Sequence, residues 1–414
     1  MNYKVGVIGI GRVGLPLCLS LNKNGVTAIG FDINQAVIDM VNNKKMPFHE
    51  TGYDELITKV DFTATSDLSR IKEVENLVIT VGTPLLAHIE TDLTQLNAVL
   101  KSITPHIQEG HNIILRSTVA PKTTMYVHHY LELNTNFKIG KDIFLSFCPE
   151  RIAEGKALVE LETLPQIIGS LDAESGRRAE EIFSKLTKKI FHTNYISAEL
   201  VKLFNNIFRY INFSISNQFA IIAENFDANI YEILRMTNYE YPRGQISSPG
   251  FTAGTCLRKD FGMINETIPY SDLLLNAWKV NEFIPKFLVD KLMLQTPIYG
   301  KKIGVLGYSF KNDTDDTRDS LVPKMIRYIS REVPSKLMIH EPFINGQLDG
   351  VFDNHSLENV LTESDVIFIA LNHTPFKQNI KTIIEQAKDN CVFVDYWNVS
   401  GNDKIIFSKK NWKK

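Results

Sequence analysis

The chain has 414 residues, 44% of them hydrophobic, and a formal net charge of −2. Such a length exceeds one ordinary hydrophobic core and predicts two or three domains, while a near-neutral balance without a basic stripe gives no reason to expect nucleic acid as a partner. No run of about 18 apolar residues occurs and MNYKVGVIGIG enters a strand at once, so neither a membrane span nor a signal peptide is expected, and the cytoplasm is the expected location. Cys18, Cys148, Cys256 and Cys391 form no CxxC pair and the ten histidines form no HExxH, so no metal site is expected.

From Tyr3 to Phe147, short Val/Ile-rich runs (KVGVIGIG, TAIGFDI, NLVITVGTP, NIILRST, DIFLSFCP) alternate with polar stretches suited to helices. This alternation predicts a parallel sheet with helices on both faces. Gly9, Gly11 and Gly14 of GIGRVG follow the first strand directly, and Asp32 ends the second. Glycines in that order permit the tight turn and the approach of a pyrophosphate to a helix N-terminus. Asp32 then accepts the ribose hydroxyls and repels a 2′-phosphate, which favours NAD over NADP. FAD binding or a vestigial fold element is the alternative.

RSTV at 116–119 and CPERIAEG at 148–155 each follow a strand, where doubly wound folds hold ligands. Thr118 offers a hydroxyl there, or a helix cap. Glu150 is a candidate general base and Arg151 a candidate cation for an acceptor on the ligand, against a plain surface ion pair. From Ser197 to Phe226 the pattern becomes one long helix, and a second apolar-periodic segment runs from Asp272 to Met293. Lys202 and Asn206 share a face of the first helix and can converge on one oxyanion, or form a solvated polar stripe.

PGFTAGTCLRKD at 249–260 surrounds Cys256 with glycines and with Arg258 and Lys259. Gly250 and Gly254 permit close backbone approach to a ligand, and the cations favour thiolate over thiol. Joined to a dinucleotide fingerprint, a nucleophilic thiol predicts oxidation of an aldehyde through a thioester. A buried structural cysteine is the alternative. Beyond Gly300 strands return (KKIGVLGYSF, KLMIHEP, DVIFIALNH, CVFVDYW), predicting a second α/β domain without a second GxGxxG. FKNDTDDTRDS at 310–320 fails the EF-hand count, with Arg318 where glycine belongs and Lys324 where glutamate belongs. Lys311 and Arg318 are the candidate cations of that loop.

GIGRVGLP, VGTP, RSTV, CPERIAEG, AELVKLFNN, PGFTAGTCLRKD and FKNDTDDTRDS, in this order, resemble the motifs of the nucleotide-sugar 6-dehydrogenase family over almost the whole chain. The resemblance implies an α/β protein: an N-terminal Rossmann-like NAD domain (1–195), a central long-helix dimerisation domain (196–298) and a C-terminal Rossmann-like domain for the nucleotide sugar (299–414). It implies a four-electron oxidation, alcohol to aldehyde to acid, with two NAD per sugar, supplying uronates for surface polysaccharide. Cys256 becomes the nucleophile, with Lys202 and Asn206 on the oxyanion, Glu150 as acid/base, and Asp260 with Thr118 positioning water.

By the same resemblance the cofactor contacts are Gly9, Gly11, Arg12, Val13, Gly14 and Asp32, joined by Gly82, Thr83, Pro84, Ser117, Thr118, Lys259 and Arg318. Glu150, Arg151, Ile152, Lys202, Asn206, Phe251, Gly254, Phe310 and Lys311 are the implied substrate contacts, and Arg243 is the implied arginine reaching the sugar of a neighbouring subunit. Arg12 and Thr255 depart from the residues usual at their positions. The proline-glutamate-arginine of CPERIAEG matches enzymes for UDP-N-acetylhexosamines, so UDP-N-acetylmannosamine or UDP-N-acetylglucosamine is the expected substrate, with Arg151 expected on the N-acetyl carbonyl. UDP-glucose oxidation, a two-electron 3-hydroxyacid-type dehydrogenase and a non-catalytic nucleotide sensor are the competing readings.

Overall fold

The computed structural model describes residues 3–86, 90–266 and 272–412, with backbone alone for Tyr3 and residues 255–258. Strands β1 (Tyr3–Ile8), β2 (Ala28–Phe31), β3 (Thr63–Thr65), β4 (Val74–Ile79), β5 (Asn112–Leu115), β6 (Phe144–Phe147), β7 (Gln166–Gly169) and β8 (Ile190–Thr193) form one sheet in the order β3-β2-β1-β4-β5-β6-β7-β8. Every neighbouring pair is parallel except β6 with β7. Alternate residues feed different cores: Leu77, Ile79, Ile113 and Leu115 face one side, Val78 and Ile114 the other. A strand buried on both faces has no polar position to spare, which is why these segments read as unbroken apolar runs.

A second sheet contains β9 (Lys302–Leu306), β10 (Lys336–His340), β13 (Val366–Ile369), β14 (Val392–Val394) and β15 (Ile406–Ser408) in the order β10-β9-β13-β14-β15. Only β15 runs antiparallel. β11 (Gln347–Leu348) and β12 (Phe352–Asp353) make a separate two-stranded ribbon. Ile303, Val305, Val366 and Phe368 pack against Ile284, Leu288 and Leu292 of the helix Asp272–Gln295, while Leu306, Ile367 and Ile369 fill the opposite face. The central β10-β9-β13-β14 order repeats the β2-β1-β4-β5 order of the first sheet.

The chain divides into two compact units. One runs through Asn206 and takes in the stretch from Lys259; the other takes Ile207–Arg258 and the C-terminal remainder. The helix Tyr195–Asn225 therefore changes unit between Asn206 and Ile207. Among the described residues no helix is long and apolar enough to cross a membrane, and no group of three His, Cys, Asp or Glu side chains could hold a metal ion.

Gly250 and Gly254 make close approaches, but to aromatic rings of their own unit. A Cβ on Gly250 would lie 2.2 Å from Cζ3 of Trp397, and one on Gly254, whose φ is +95°, would lie 2.4 Å from Cδ2 of Phe310. Asn217 on the long helix fixes Gly250 further: its Nδ2 donates to the Gly250 carbonyl at 3.0 Å and its Oδ1 accepts the Gly250 N–H at 2.9 Å. Asn217 in turn bonds Asn281 and Tyr396, all of them buried. Gly250→Ala is expected to lower stability by about 1–3 kcal/mol through overpacking against Trp397, seen as a reduced Tm. An unchanged Tm would contradict the contact.

Candidate active site

At the end of β1 the backbone turns through Gly9, with φ +90°. A Cβ on Gly14 would lie 2.1 Å from the Gly9 carbonyl oxygen, whereas one on Gly11 meets nothing within 4 Å. Gly14 is thus required by the turn, whereas beside Gly11 the protein leaves open space. Thr80 ties the turn from β4, donating to the carbonyls of Ile8 at 3.0 Å and Gly9 at 2.6 Å. The following helix, Gly14–Lys23, carries no side-chain cap and no acid in its first turn, which leaves its positive end for an anion.

Asp32 accepts the Ile10 N–H on one carboxylate oxygen and the Asn34 N–H on the other, each at 2.9 Å. Each oxygen keeps acceptor capacity for ribose hydroxyls. Gly9, Gly11, Asp32, Gly82, Gln95 and Ser102 line part of a cavity of about 480 Å³, so the residues fit a dinucleotide. Arg12 stacks on Phe48, its guanidinium carbon 5.1 Å from the ring centre.

A second cluster in the same unit gathers Lys202, Asn206 and Asp260, which are 6%, 7% and 0% exposed. Asn206 Nδ2 donates to Asp260 Oδ2 at 2.6 Å. Asp260 Oδ1 is buried and accepts from no donor among the described residues. Burial raises the Asp260 pKa, outweighing the ammonium groups of Lys202 and Lys259 and the Asn206 hydrogen bond, which lower it. The neighbouring Lys259 points to another thread: its Nζ lies 3.1 Å from Thr83 Oγ1, and Thr83 donates to the Thr118 carbonyl. Ser117 Oγ donates to the Val81 carbonyl at 2.7 Å. Lys259, Thr83 and the Thr118 backbone are thus joined in one thread, while Pro84 is exposed.

The loop after β6 is held by three carboxylates. Glu150 Oε1 accepts the N–H groups of Arg151 at 2.6 Å and Ile152 at 2.8 Å; Glu160 takes that of Ala153 at 2.7 Å; Glu50 takes those of Gly155 at 2.8 Å and Ala157 at 3.0 Å. The other Glu150 oxygen is paired with the buried Arg116, whose Nε donates at 2.9 Å and whose Nη2 donates as well. The four donors to this carboxylate are thus two loop N–H groups and two from one guanidinium. Glu150, expected as the acid/base, ties the loop after β6 to Arg116. Arg151 reaches the Pro165 carbonyl and, at 3.3 Å, the Asn205 side chain.

In the other unit, Phe251, an implied substrate contact, is buried in the hydrophobic core. Phe310 covers Gly254, and the Gly254 N–H donates to the Asp319 carbonyl at 3.2 Å. Arg318 forms a pair with the buried Asp316 through Nε at 2.9 Å and Nη2 at 2.6 Å. Arg243 stacks on Tyr241 at the surface. Lys311 sits on the loop after β9. Cys256 stands in the first turn of the helix Thr255–Asn265; its side chain, like that of Arg258, lies outside the described residues.

Residues 3–187 match the NAD-binding domain of the UDP-glucose/GDP-mannose dehydrogenase family, 196–282 its central domain and 304–402 its UDP-binding domain. The chain belongs to this family. It is 29% identical to a UDP-N-acetyl-D-mannosamine dehydrogenase of Pyrococcus horikoshii over 98% of this chain and 97% of that protein. A relative of the same name from Campylobacter jejuni is 29% identical over 90% of this chain and 96% of its own. The solved structure of the UDP-D-ManNAc dehydrogenase of Pyrococcus horikoshii superposes with a TM-score of 0.84 at 30% identity, covering 93% of each chain.

As a nucleotide-sugar dehydrogenase with an NAD-binding domain, the protein places its cofactor fingerprint where the sequence led, yet several supporting residues were missed. Arg116 stood in RSTV, read for its serine and threonine. Glu50, Glu160 and Asn217 carry no local signal, because their partners are more than 30 residues away or are backbone groups of a loop. Asp260 offers a pH test within this dehydrogenase. Its raised pKa means the folded state gains from the protonated acid at low pH and loses that gain as pH rises from the ordinary aspartate value through the folded one. Asp260→Asn removes that loss, so its advantage in unfolding free energy over the wild type should be larger at about pH 7 than at about pH 4, measured by urea denaturation. An advantage that shrinks with rising pH would place the carboxyl below its usual range.

Proposed function

We propose that this chain oxidises C6 of UDP-N-acetylmannosamine to the uronate, a precursor for surface polysaccharide, through a thioester on Cys256. The substrate rests on the family relatives. The chemistry rests on one observation above others, the buried cluster of an ammonium, an amide and a carboxyl whose proton affinity burial raises, in Lys202, Asn206 and Asp260. Asp260 shares the helix Thr255–Asn265 with Cys256, whose place in the first turn favours thiolate through the helix dipole.

NAD, when bound, accepts the hydride in each of the two oxidations. The C6 hydroxyl first gives up its proton to a base, for which Asp260 is suited, and becomes the aldehyde. Cys256 then adds through sulfur to the carbonyl carbon, and Lys202 and Asn206 stabilise the oxyanion of the thiohemiacetal. Loss of the second hydride leaves a thioester, and water breaks its C–S bond, returning the thiol and releasing the carboxylate. In sum, the alcohol and one water yield the carboxylate, two hydrides and three protons. Two NADH per sugar are expected, with UDP-N-acetylmannosamine turned over faster than UDP-glucose, and Cys256→Ser is expected to stop net acid formation. One NADH per sugar, or a preference for UDP-glucose, would overturn the reading.

We further infer a homodimer built on the long helix. Phe208, Ile215, Phe219, Ile222 and Phe226 recur at spacings of seven, four, three and four, and they are exposed, Phe208 at 68% and Phe226 at 80%. An apolar stripe at this period fits a second copy of itself, the cheapest self-complementary arrangement being a two-fold. Phe219→Glu is expected to shift the sedimentation coefficient from dimer to monomer. A wild-type chain that sediments as a monomer would refute the dimer.

A further inference from the structure

The second unit repeats a detail of the first. In the first, Gly9 follows β1 with positive φ, and the next N–H, of Ile10, is accepted by Asp32, the residue after β2. In the second, Gly307 follows β9 with φ +96°, and the next N–H, of Tyr308, is accepted at 2.7 Å by Glu341, the residue after β10. The two carboxylates then diverge. Asp32 is partly exposed and faces the dinucleotide cavity. Glu341 is buried, and its Oε2 also accepts the Ser309 N–H at 3.1 Å and stands 3.1 Å from Nε2 of His373, while Oε1 accepts the Phe343 N–H at 3.1 Å.

His373 is itself wholly buried, between the rings of Phe343 and Phe376. Its Nδ1 accepts the Asp313 N–H at 2.9 Å, which fixes the tautomer and leaves Nε2–H to donate to Glu341. Asp313 occupies the left-handed region with φ +56°, uncommon for a residue with a side chain, and its carboxylate is tied to Thr374 through the backbone N–H and the hydroxyl, both at 2.7 Å. Phe310 and Lys311 lie between the two anchored points, Ser309 and Asp313. A strained turn pinned at both ends has little freedom left to lose when a ligand binds.

We propose that His373, acting through Glu341 and Asp313, is a positioning residue that presets the loop 308–313 for the nucleotide of the sugar substrate. The imidazole takes on Glu341 the place that ribose hydroxyls take on Asp32, so the second unit uses its strand-end carboxylate internally and leaves recognition to the loop. This inference rests on the reading of the C-terminal unit as the UDP site.

The test is calorimetric titration of the full chain with UDP and, separately, with NAD. His373→Ala should weaken UDP by about tenfold and leave NAD within about twofold, and His373→Gln, whose amide both donates and accepts, should return UDP to within about threefold of wild type. Thr374→Val, at an exposed site, removes only the hydroxyl tie to Asp313 and should weaken UDP by about threefold; it decides the matter if the alanine variant fails to fold. Wild-type binding of UDP with no change in folded variants, or equal losses for UDP and NAD, would overturn the positioning role alone. A wild-type chain that does not bind UDP would overturn the UDP site and the proposal with it.

Discussion

Carboxylates that accept loop N–H groups at the carboxyl ends of parallel strands, several of them buried, are the constraint on which this molecule depends. A parallel sheet satisfies its own backbone but leaves the N–H groups of each strand-to-helix turn without partners, and burial makes an unpaired N–H costly. Asp32, Glu150, Glu50 and Glu160 meet that need in the first unit and Glu341 in the second. A charge-assisted bond is roughly twice as strong as a neutral one, and one carboxylate can take several donors, so a single side chain fixes a turn of two or three residues. Desolvating the charge opposes this, and the Arg116 and His373 partners of Glu150 and Glu341 offset that cost.

Function follows from where this saturation stops. Asp32 retains acceptor capacity at the cavity edge, and Asp260 retains an oxygen that accepts from no donor among the described residues, beside two ammonium groups. Glu150 and Glu341 retain almost none. In the proposed function, proton transfer and ligand contact belong to the first kind of carboxylate, loop geometry to the second. The same strand-end position thus faces a cavity in one unit and is used internally in the other.

Much of the fold was legible because buried parallel strands cannot hide: KVGVI, NLVIT, NIIL, VIFI and CVFV all became strands. The short β7 and β8 were harder to read, and the reversal between β6 and β7 depends on the path of a loop tied by Glu50 and Glu160 rather than on local composition. Lys202 and Asn206 announced their shared helical face by spacing alone. Asp260 entered only through the family resemblance, since a single acid after RK carries no period or motif. Phe251 entered through the same resemblance; the glycines beside it admit Trp397 and Phe310, and the phenylalanine packs into the core. His373 and Glu341 are lone residues at strand ends, joined only by tertiary structure.

The central claim is that oxidation from aldehyde to acid passes through carbon–sulfur bond formation at Cys256. Mass spectrometry of enzyme acid-quenched during turnover with UDP-N-acetylmannosamine and NAD tests it most directly. The account predicts a peptide containing Cys256 that carries the acyl mass of the oxidised nucleotide sugar, released by hydroxylamine. Unmodified Cys256 throughout turnover, with acid still formed, would contradict it.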